Sequence, residues 1–491
     1  MAKQLLNSLL VLCFSTHGVQ AQTSSSAPCS TTISPKYAAP SLAPGWEAMV
    51  VASGLTKPRG IIFDSNGHLL LVQEGHGISS LELRDNGGAC VRARKLTDVI
   101  ADNLNHGIEL STDGKTLYAS SSEAVYAYDY DSSGARNTSA GRVVVNGMKH
   151  GGHTSRTLLI SREVDGLLLV SEGSEGNLDK AATDITTGHS QIKAFNMTNV
   201  TSVPYDYAKD GLRLGWGLRN SVGVAEEPLT GAIYSVENSA DEITRSGQNI
   251  HQDNPGEELN FHGYLNGTES NKQGRNYGYP QCYAVWNAST IPNNVNLKVG
   301  MQFAIGEQET TTGETVNDTI CQNERVAPRL TFAAHMAPLD IKFNPSGTMA
   351  WITFHGSWDR SEPIGYKLSV VNFANGSPTE PANSSQAAID IMSNSDISKC
   401  PNSCFRPVGL AWDSKGRLFM SSDATGEIYL ISKSDGSPAS SALLSTGLLP
   451  SNTGIVGAPS AMGSKGTAPE FAGPQKPWAM VIAAVMALPF A

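Results

Sequence analysis

The chain has 491 residues, of which 40% are apolar and 16% charged, with a formal net charge of −10. The acidic balance excludes a nucleic-acid partner, whose phosphates demand a basic face.

Residues 1–21 run from Lys3 through the apolar stretch Leu5 to Phe14 and on to Val19-Gln20-Ala21, the order of a secretory signal peptide with a small-residue cleavage site. A Ser-rich lead follows over 22–44. At the other end Trp478 to Ala491 is almost wholly apolar, and Gly463, Ser464 and Gly466 lie ahead of it in a Ser/Gly/Pro-rich stretch. A membrane-spanning helix needs about 20 apolar residues, so a glycolipid (GPI) anchor signal is the expectation: a stalk over 435–466 carrying the attachment site, and a removed tail over 467–491. An uncleaved hydrophobic terminus is the alternative. The expected location is therefore outside the cell, with a membrane contacted only through such an anchor.

Seven cysteines are present, one of which, Cys13, lies in the leader. The other six, Cys29, Cys90, Cys282, Cys321, Cys400 and Cys404, allow fifteen connectivities in an oxidising compartment. Pairing of neighbours in order is favoured: 29 with 90, 282 with 321, 400 with 404. Glycosylation sequons stand at Asn137, Asn196, Asn199, Asn266, Asn287, Asn317, Asn375 and Asn383, as in a secretory glycoprotein.

Between the termini the chain is rich in Gly and in short alternating apolar runs, and a unit recurs six times. Each unit is a polar or basic residue, a short strand, a Gly-containing turn and a second strand ending in polar residues. The starts are Pro58-Arg59-Gly60, His106-Gly107, His153-Thr154-Ser155-Arg156, Arg219-Asn220, Ala337-Pro338-Leu339 and Arg406-Pro407-Val408. The turns are Asn66-Gly67, Asp113-Gly114, Asp165-Gly166, Thr230-Gly231, Ser346-Gly347 and Lys415-Gly416. Asn-Gly and Asp-Gly between alternating strands are strong hairpin signals. Strand repeats of roughly 45 residues are propeller blades. An all-β, six-bladed propeller with four-stranded antiparallel blades is expected over 45–434, with long loops in 241–330.

In a hairpin the start of the first strand and the end of the second meet at one edge, and around a ring that edge becomes one face. Arg59, His106, His153, Arg219 and Arg406 precede first strands; Glu74, Glu172, Glu237, His355 and Asp423 follow second strands. Such a gathering suits a small polar ligand, although any single member can equally be a structural ion pair between blades.

Several further motifs occur in one order: Gly217-Leu218-Arg219-Asn220, Glu257-Glu258-Leu259-Asn260, Asn276-Tyr277-Gly278-Tyr279-Pro280, His335-Met336-Ala337-Pro338-Leu339, His355-Gly356-Ser357-Trp358-Asp359-Arg360, Gly365-Tyr366-Lys367 and Arg406-Pro407-Val408. With them the chain resembles the soluble quinoprotein glucose dehydrogenase and L-sorbosone dehydrogenase superfamily, and within it the fungal pyranose dehydrogenases of auxiliary activity family twelve, over about residues 45 to 434.

The resemblance implies oxidation of a pyranose or ketoaldose with pyrroloquinoline quinone (PQQ), a planar tricarboxylate, bridged to the blades by Ca²⁺. Carboxylates call for Arg forks; Arg59, Arg360, Lys367 and Arg406 are the candidates, with His355 covering the ring or bonding a carboxylate. By similarity Arg219, assisted by Asn220, faces the quinone oxygens, where a fixed positive charge stabilises developing anion. The metal is expected at the backbone carbonyls of Ser239 and Ala240, with Asp241 as a further oxygen ligand. His153 is the expected proton acceptor and His150 the alternative. Trp358, Tyr277 and Trp216 are candidates to stack on a sugar. The reoxidant is expected to be a diffusible acceptor or a separate extracellular redox protein. Two rival readings are a Ca²⁺-dependent lactonase-like propeller hydrolase and a non-catalytic cell-surface propeller binding module.

Overall fold

A computed structural model of the chain describes residues 32–148, 151–306, 308–309 and 315–441. The signal segment, the tail, most of the stalk, Cys29 (and with it the expected 29–90 pairing) and His150 lie outside the described residues. No helix among those described is long and apolar enough to cross a membrane.

Six antiparallel sheets form the six blades. Blade one is Pro58–Phe63, Leu69–Gln73, Gly77–Asp85 and Val91–Ala101. Blade two is built on Ile108–Leu110, Thr116–Ser120, Val125–Asp131 and Arg142–Asn146, and blade three on Leu158–Ile160, Leu167–Glu172, Gln191–Asn196 and Leu212–Trp216. Blade four is Ser221–Glu226, Ala232–Glu237, Glu257–Tyr264 and Leu330–Phe332; blade five is built on Pro338–Phe343, Met349–Phe354, Lys367–Ala374 and Ile389–Ser393. Blade six takes three strands, Pro407–Trp412, Leu418–Ser422 and Glu427–Lys433, and completes itself with Trp46–Ala52 from the N-terminal side, Trp46 pairing with Lys433 and Ala52 with Ile428. That strand closes the ring and buries Val50 and Val51, each worth about 1.5–3 kcal/mol of apolar transfer.

The innermost strands of neighbouring blades touch in a closed cycle, from blade one through blade six and back. Their close approach explains the glycine in the inner strand of blade six: a Cβ at Gly409 would lie 2.5 Å from the Arg59 carbonyl of blade one. Second strands are sandwiched on both faces, so 69–73, 232–237, 349–354 and 418–422 are buried throughout. Apolar side chains fill the spaces between blades, as where Leu70 and Val72 of blade one meet Ile108, Leu117 and Tyr128 of blade two.

The extra length expected in 241–330 is carried by blade four, on either side of its third strand. It holds the hairpin Cys282–Ala284 with Gln302–Ala304 and a short helix, Asp318–Glu324, capped by the Asn317 side chain. A disulfide joins Cys282 to Cys321, and another joins Cys400 to Cys404.

Candidate active site

Blades three to six supply the walls of a cavity of about 220 Å³ at the edge where first strands begin and second strands end. His153, Arg219 with Asn220, Ala337 and Arg406 enter just before first strands. Asn238, Ser239 and Asp241 follow the second strand of blade four; His355, Ser357, Trp358 and Asp359 follow that of blade five. Glu257, at the start of a third strand, and His335 complete the lining.

His153 Nδ1 lies 3.0 Å from the Ser174 carbonyl oxygen and 2.9 Å from its Oγ. A carbonyl only accepts, so Nδ1 carries the proton and Nε2 is left as a base. Burial, and then the nearby charge of Arg219, lower the imidazole's pKa to about 4, so it is neutral at pH 7. Gly173 makes room for this arrangement: a Cβ there would sit 2.7 Å from both His153 Cβ and Asn220 Oδ1.

Arg219 is buried and held from several sides. Its Nε donates to the Asn177 carbonyl at 3.2 Å, Nη1 to the Asn238 carbonyl at 3.3 Å, and Nη2 to Asn177 Oδ1 at 3.0 Å and Asp241 Oδ2 at 2.9 Å. A guanidinium has five N–H groups, so one proton on Nη1 is left for a ligand. Beneath it Glu237 accepts from the Arg219 backbone N–H at 2.6 Å and from Asn260 Nδ2 at 3.1 Å.

Beside Arg219, ligating atoms of Asp241, His335 and Asp359 lie within 4.8 Å of one another. His335 Nδ1 is 3.4 Å from Asp241 and 3.5 Å from Asp359. Burial alone would lower the His335 pKa, but the hydrogen bond to Asp241 and the surrounding carboxylates raise it. Both Asp359 carboxylate oxygens are buried without a hydrogen-bond partner, and burial pushes this carboxyl's pKa up. Glu257 ties the two loops of this corner together, accepting from the Ser239 N–H at 2.7 Å and the Ala337 N–H at 3.0 Å.

On the far side Arg406 grips the turn of blade five through the carbonyls of His355, at 3.1 Å, and Gly356, at 2.7 Å, and stacks over Tyr366. His355 Nε2 lies 2.9 Å from Asp423, which also receives Arg59 at 2.6 Å. Burial holds His355 low, so it donates Nε2–H as a neutral ring; in Asp423 burial is outweighed by His355 and Arg59, which keep its carboxyl well below the usual carboxylate range.

Several sequence candidates fall elsewhere. Arg59 stands behind His355, outside the lining. Arg360 is turned to the carbonyls of Gln252 and Glu362 and toward Asp253. Lys367 pairs with Asp390 at 2.9 Å and lies over the Phe354 ring. The Ala240 side chain packs into the apolar cluster of Ile243, Tyr279 and Tyr283, so its backbone carbonyl is the one group it can offer a metal. His106, Glu74, Glu172, Glu237 and Asp423 are likewise outside the lining, so blades one and two contribute nothing to it. Among the stacking candidates, Trp358 is 65% exposed at the cavity, Tyr277 is buried in the core and Trp216 lies outside the lining. Sequence reading assigned no role to His335, Asp359, Glu257, Asn238 or Ser357, although all but Asn238 lie in the motifs quoted above; Asn177 lies in none.

The donor set suits the two expected groups. Arg219, Arg406, Asn220 and Asn238 offer N–H groups or positive charge to a multi-carboxylate ring, while the Asp359 oxygens, which have no hydrogen-bond partner, offer hard ligands to a divalent cation beside Asp241.

Residues 40–434 match the family model described as TrAA12-like. Over 402 residues the chain is 48% identical to the pyrroloquinoline quinone-dependent sugar dehydrogenase of Hypocrea jecorina (strain QM6a), covering 81% of this chain and 90% of the relative. Over 427 residues it is 36% identical to the pyrroloquinoline quinone-dependent pyranose dehydrogenase of Coprinopsis cinerea, covering 83% of this chain but 56% of that longer protein. Among solved structures, the calcium structure of a Trichoderma reesei Carbohydrate-Active Enzymes Family AA12 protein superposes with a TM-score of 0.79 at 48% identity, covering 82% of this chain and 99% of the other. The holo form of the Coprinopsis cinerea pyranose dehydrogenase PQQ domain gives 0.75 at 35% identity, covering 82% and 99%.

Proposed function

The chain belongs to the TrAA12-like family, and from that membership and the donor set of the cavity we propose that it is a PQQ-dependent dehydrogenase that oxidises a pyranose or ketoaldose outside the cell. The observation that carries this reading is the pairing of a neutral, tautomer-fixed His153 with a buried, oriented Arg219 in one cavity.

Bound PQQ supplies the carbonyl that accepts hydride. Arg406, Asn220 and His355 would hold its carboxylates and ring, and Arg59 would act from behind by fixing Asp423 against His355. Arg219 presents its remaining N–H and its charge where anion develops. The sugar stacks on exposed Trp358. With the cofactor supplying the hydride acceptor, His153 Nε2 would take the hydroxyl proton of the sugar as its C–H bond is lost and its C=O bond forms. Ca²⁺ would be held by Asp241 and Asp359 with the carbonyls of Ser239 and Ala240, supplying positive charge beside Arg219; the grouping of Asp241, His335 and Asp359 supports this placement, and a relative's structure is a calcium structure. A diffusible acceptor or separate redox protein takes the electrons, and the two apolar termini direct secretion and GPI anchoring.

The test is titration of purified, metal-free protein with PQQ and Ca²⁺, followed by addition of a panel of sugars while the cofactor's optical spectrum is read. Binding with sugar-dependent reduction is expected. Absence of PQQ binding would return the chain to the class of surface binding modules.

A further inference from the structure

The turn Gly173–Asn177, which follows the second strand of blade three, gives no residue to the cavity lining, yet it touches both residues assigned to the chemistry. Near its start Ser174 receives the His153 Nδ1 proton. At its end the Asn177 carboxamide is used on both sides. Oδ1 accepts from Arg219 Nη2 at 3.0 Å and from the Asp241 backbone N–H at 2.8 Å, while Nδ2 donates to the Asp241 carbonyl at 2.7 Å. The Asn177 main chain adds a carbonyl to Arg219 Nε at 3.2 Å. An amide offers an acceptor and a donor from one planar group; a carboxylate lacks the donor and a hydroxyl is too short to span both neighbours.

The turn is itself braced. Ser174 Oγ donates to the Gly176 carbonyl at 2.7 Å. The Tyr279 hydroxyl shares its one proton between the carbonyls of Asn177, at 3.0 Å, and Gly176, at 3.2 Å, and accepts from the Asp179 N–H at 2.7 Å. Tyr279 belongs to the buried cluster of the blade-four insertion, so the bracing reaches the turn from a different blade.

We infer that Asn177 is a positioning residue: it locks the Arg219 guanidinium and the 238–241 loop to the same short turn that orients His153, and so sets the distance between the proton acceptor and the cation. The inference rests on the roles given above to His153 and Arg219. Without the carboxamide, Arg219 Nη2 keeps only Asp241, and the guanidinium is otherwise held by the two longer bonds of 3.2 and 3.3 Å to the carbonyls of Asn177 and Asn238, while the 238–241 loop loses both its side-chain ties to the turn. A misplacement of about 1 Å in such an arrangement lowers a rate by about 10²-fold.

Two variants test this, Asn177→Ala and Asn177→Gln, the second keeping the amide chemistry but moving it by one methylene. In both, the crystal structure of the cofactor-free protein is expected to show the Arg219 guanidinium displaced from the Asn238 carbonyl. Single-turnover reduction of bound PQQ by sugar is expected to slow at least about tenfold, with the cofactor Kd within about threefold of the parent. Thermal unfolding checks that each variant is folded, and the glutamine variant serves if the alanine variant is not. Arg219 unmoved, or a reduction rate within about twofold of the parent, overturns the inference. If the parent itself binds no PQQ, the functional reading fails, and the Arg219 displacement alone decides this one.

Discussion

The Ser174 carbonyl takes the Nδ1 proton of His153 at 3.0 Å, and this one contact makes the imidazole a base at Nε2. Neutral His153 is required for proton removal, and its pKa stands at about 4 through burial and the charge of Arg219. The pH profile of kcat/KM should therefore stay flat on lowering the pH past 6.5, where an ordinary His protonates, and fall only near pH 4. His153→Ala should lower the rate of cofactor reduction by about 10²–10⁴-fold while PQQ remains bound. Loss of PQQ binding in that variant would remove His153 from the role of base.

Arg406 and Arg59 should separate in their effects. Arg406 lines the cavity, so Arg406→Ala removes a charged donor and is expected to weaken PQQ binding by about tenfold to a hundredfold. Arg59 reaches the site only through Asp423 and His355. Its charge opposes protonation of His355, so Arg59→Ala should let His355 protonate at higher pH and should weaken binding less, with a pH dependence that Arg406→Ala lacks. Isothermal titration at pH 5.5 and 8 distinguishes the two.

The propeller was legible because its signals are local. Asn-Gly and Asp-Gly turns recur with strands on either side, and each of the six repeat starts opens a blade. His153, Arg219, Asn220, His355 and Arg406 were legible for the same reason: each sits beside a strand end, and the topology carries strand ends to one face. The choice among cations was not legible. Arg59, Arg360 and Lys367 have the right chemistry, but each meets a closer carboxylate or carbonyl, Asp423, Gln252 and Asp390 respectively, contributed by residues distant in sequence. Asn177 escaped notice because its function lies in hydrogen bonds to Arg219 and Asp241, 42 and 64 residues away.

The buried acids beneath the site predict how stability depends on pH. Glu258 accepts from Asn260 Nδ2 at 2.9 Å, and burial raises its pKa to about 7. Between the unfolded value near 4.3 and 7 the folded state binds the extra proton, so stability falls as pH rises through this window. Glu258→Gln keeps an acceptor for Asn260 without the charge. It should be more stable than the parent at pH 8 by about 1–3 kcal/mol and nearly equal at pH 4, as read by urea unfolding. A difference that does not change with pH would mean that Glu258 titrates alike in the folded and unfolded protein, so that burial does not raise its pKa.

The two disulfides should differ in worth. The Cys282–Cys321 link spans 39 residues and the Cys400–Cys404 link 4; loop-closure entropy gives about 4 kcal/mol for the first and about 2 for the second. The longer link also secures the hairpin at 282–284, whose Tyr283 packs with Tyr279 in the cluster that braces the Asn177 turn. Replacing Cys282 and Cys321 by Ser should therefore lower both Tm and the rate of cofactor reduction, whereas the Cys400/Cys404 double variant should show a smaller loss of Tm and leave the rate near the parent's. Differential scanning calorimetry and single-turnover reduction, run below both transitions, provide the comparison. An equal rate in the two variants would show that the insertion braces the fold but not the turn.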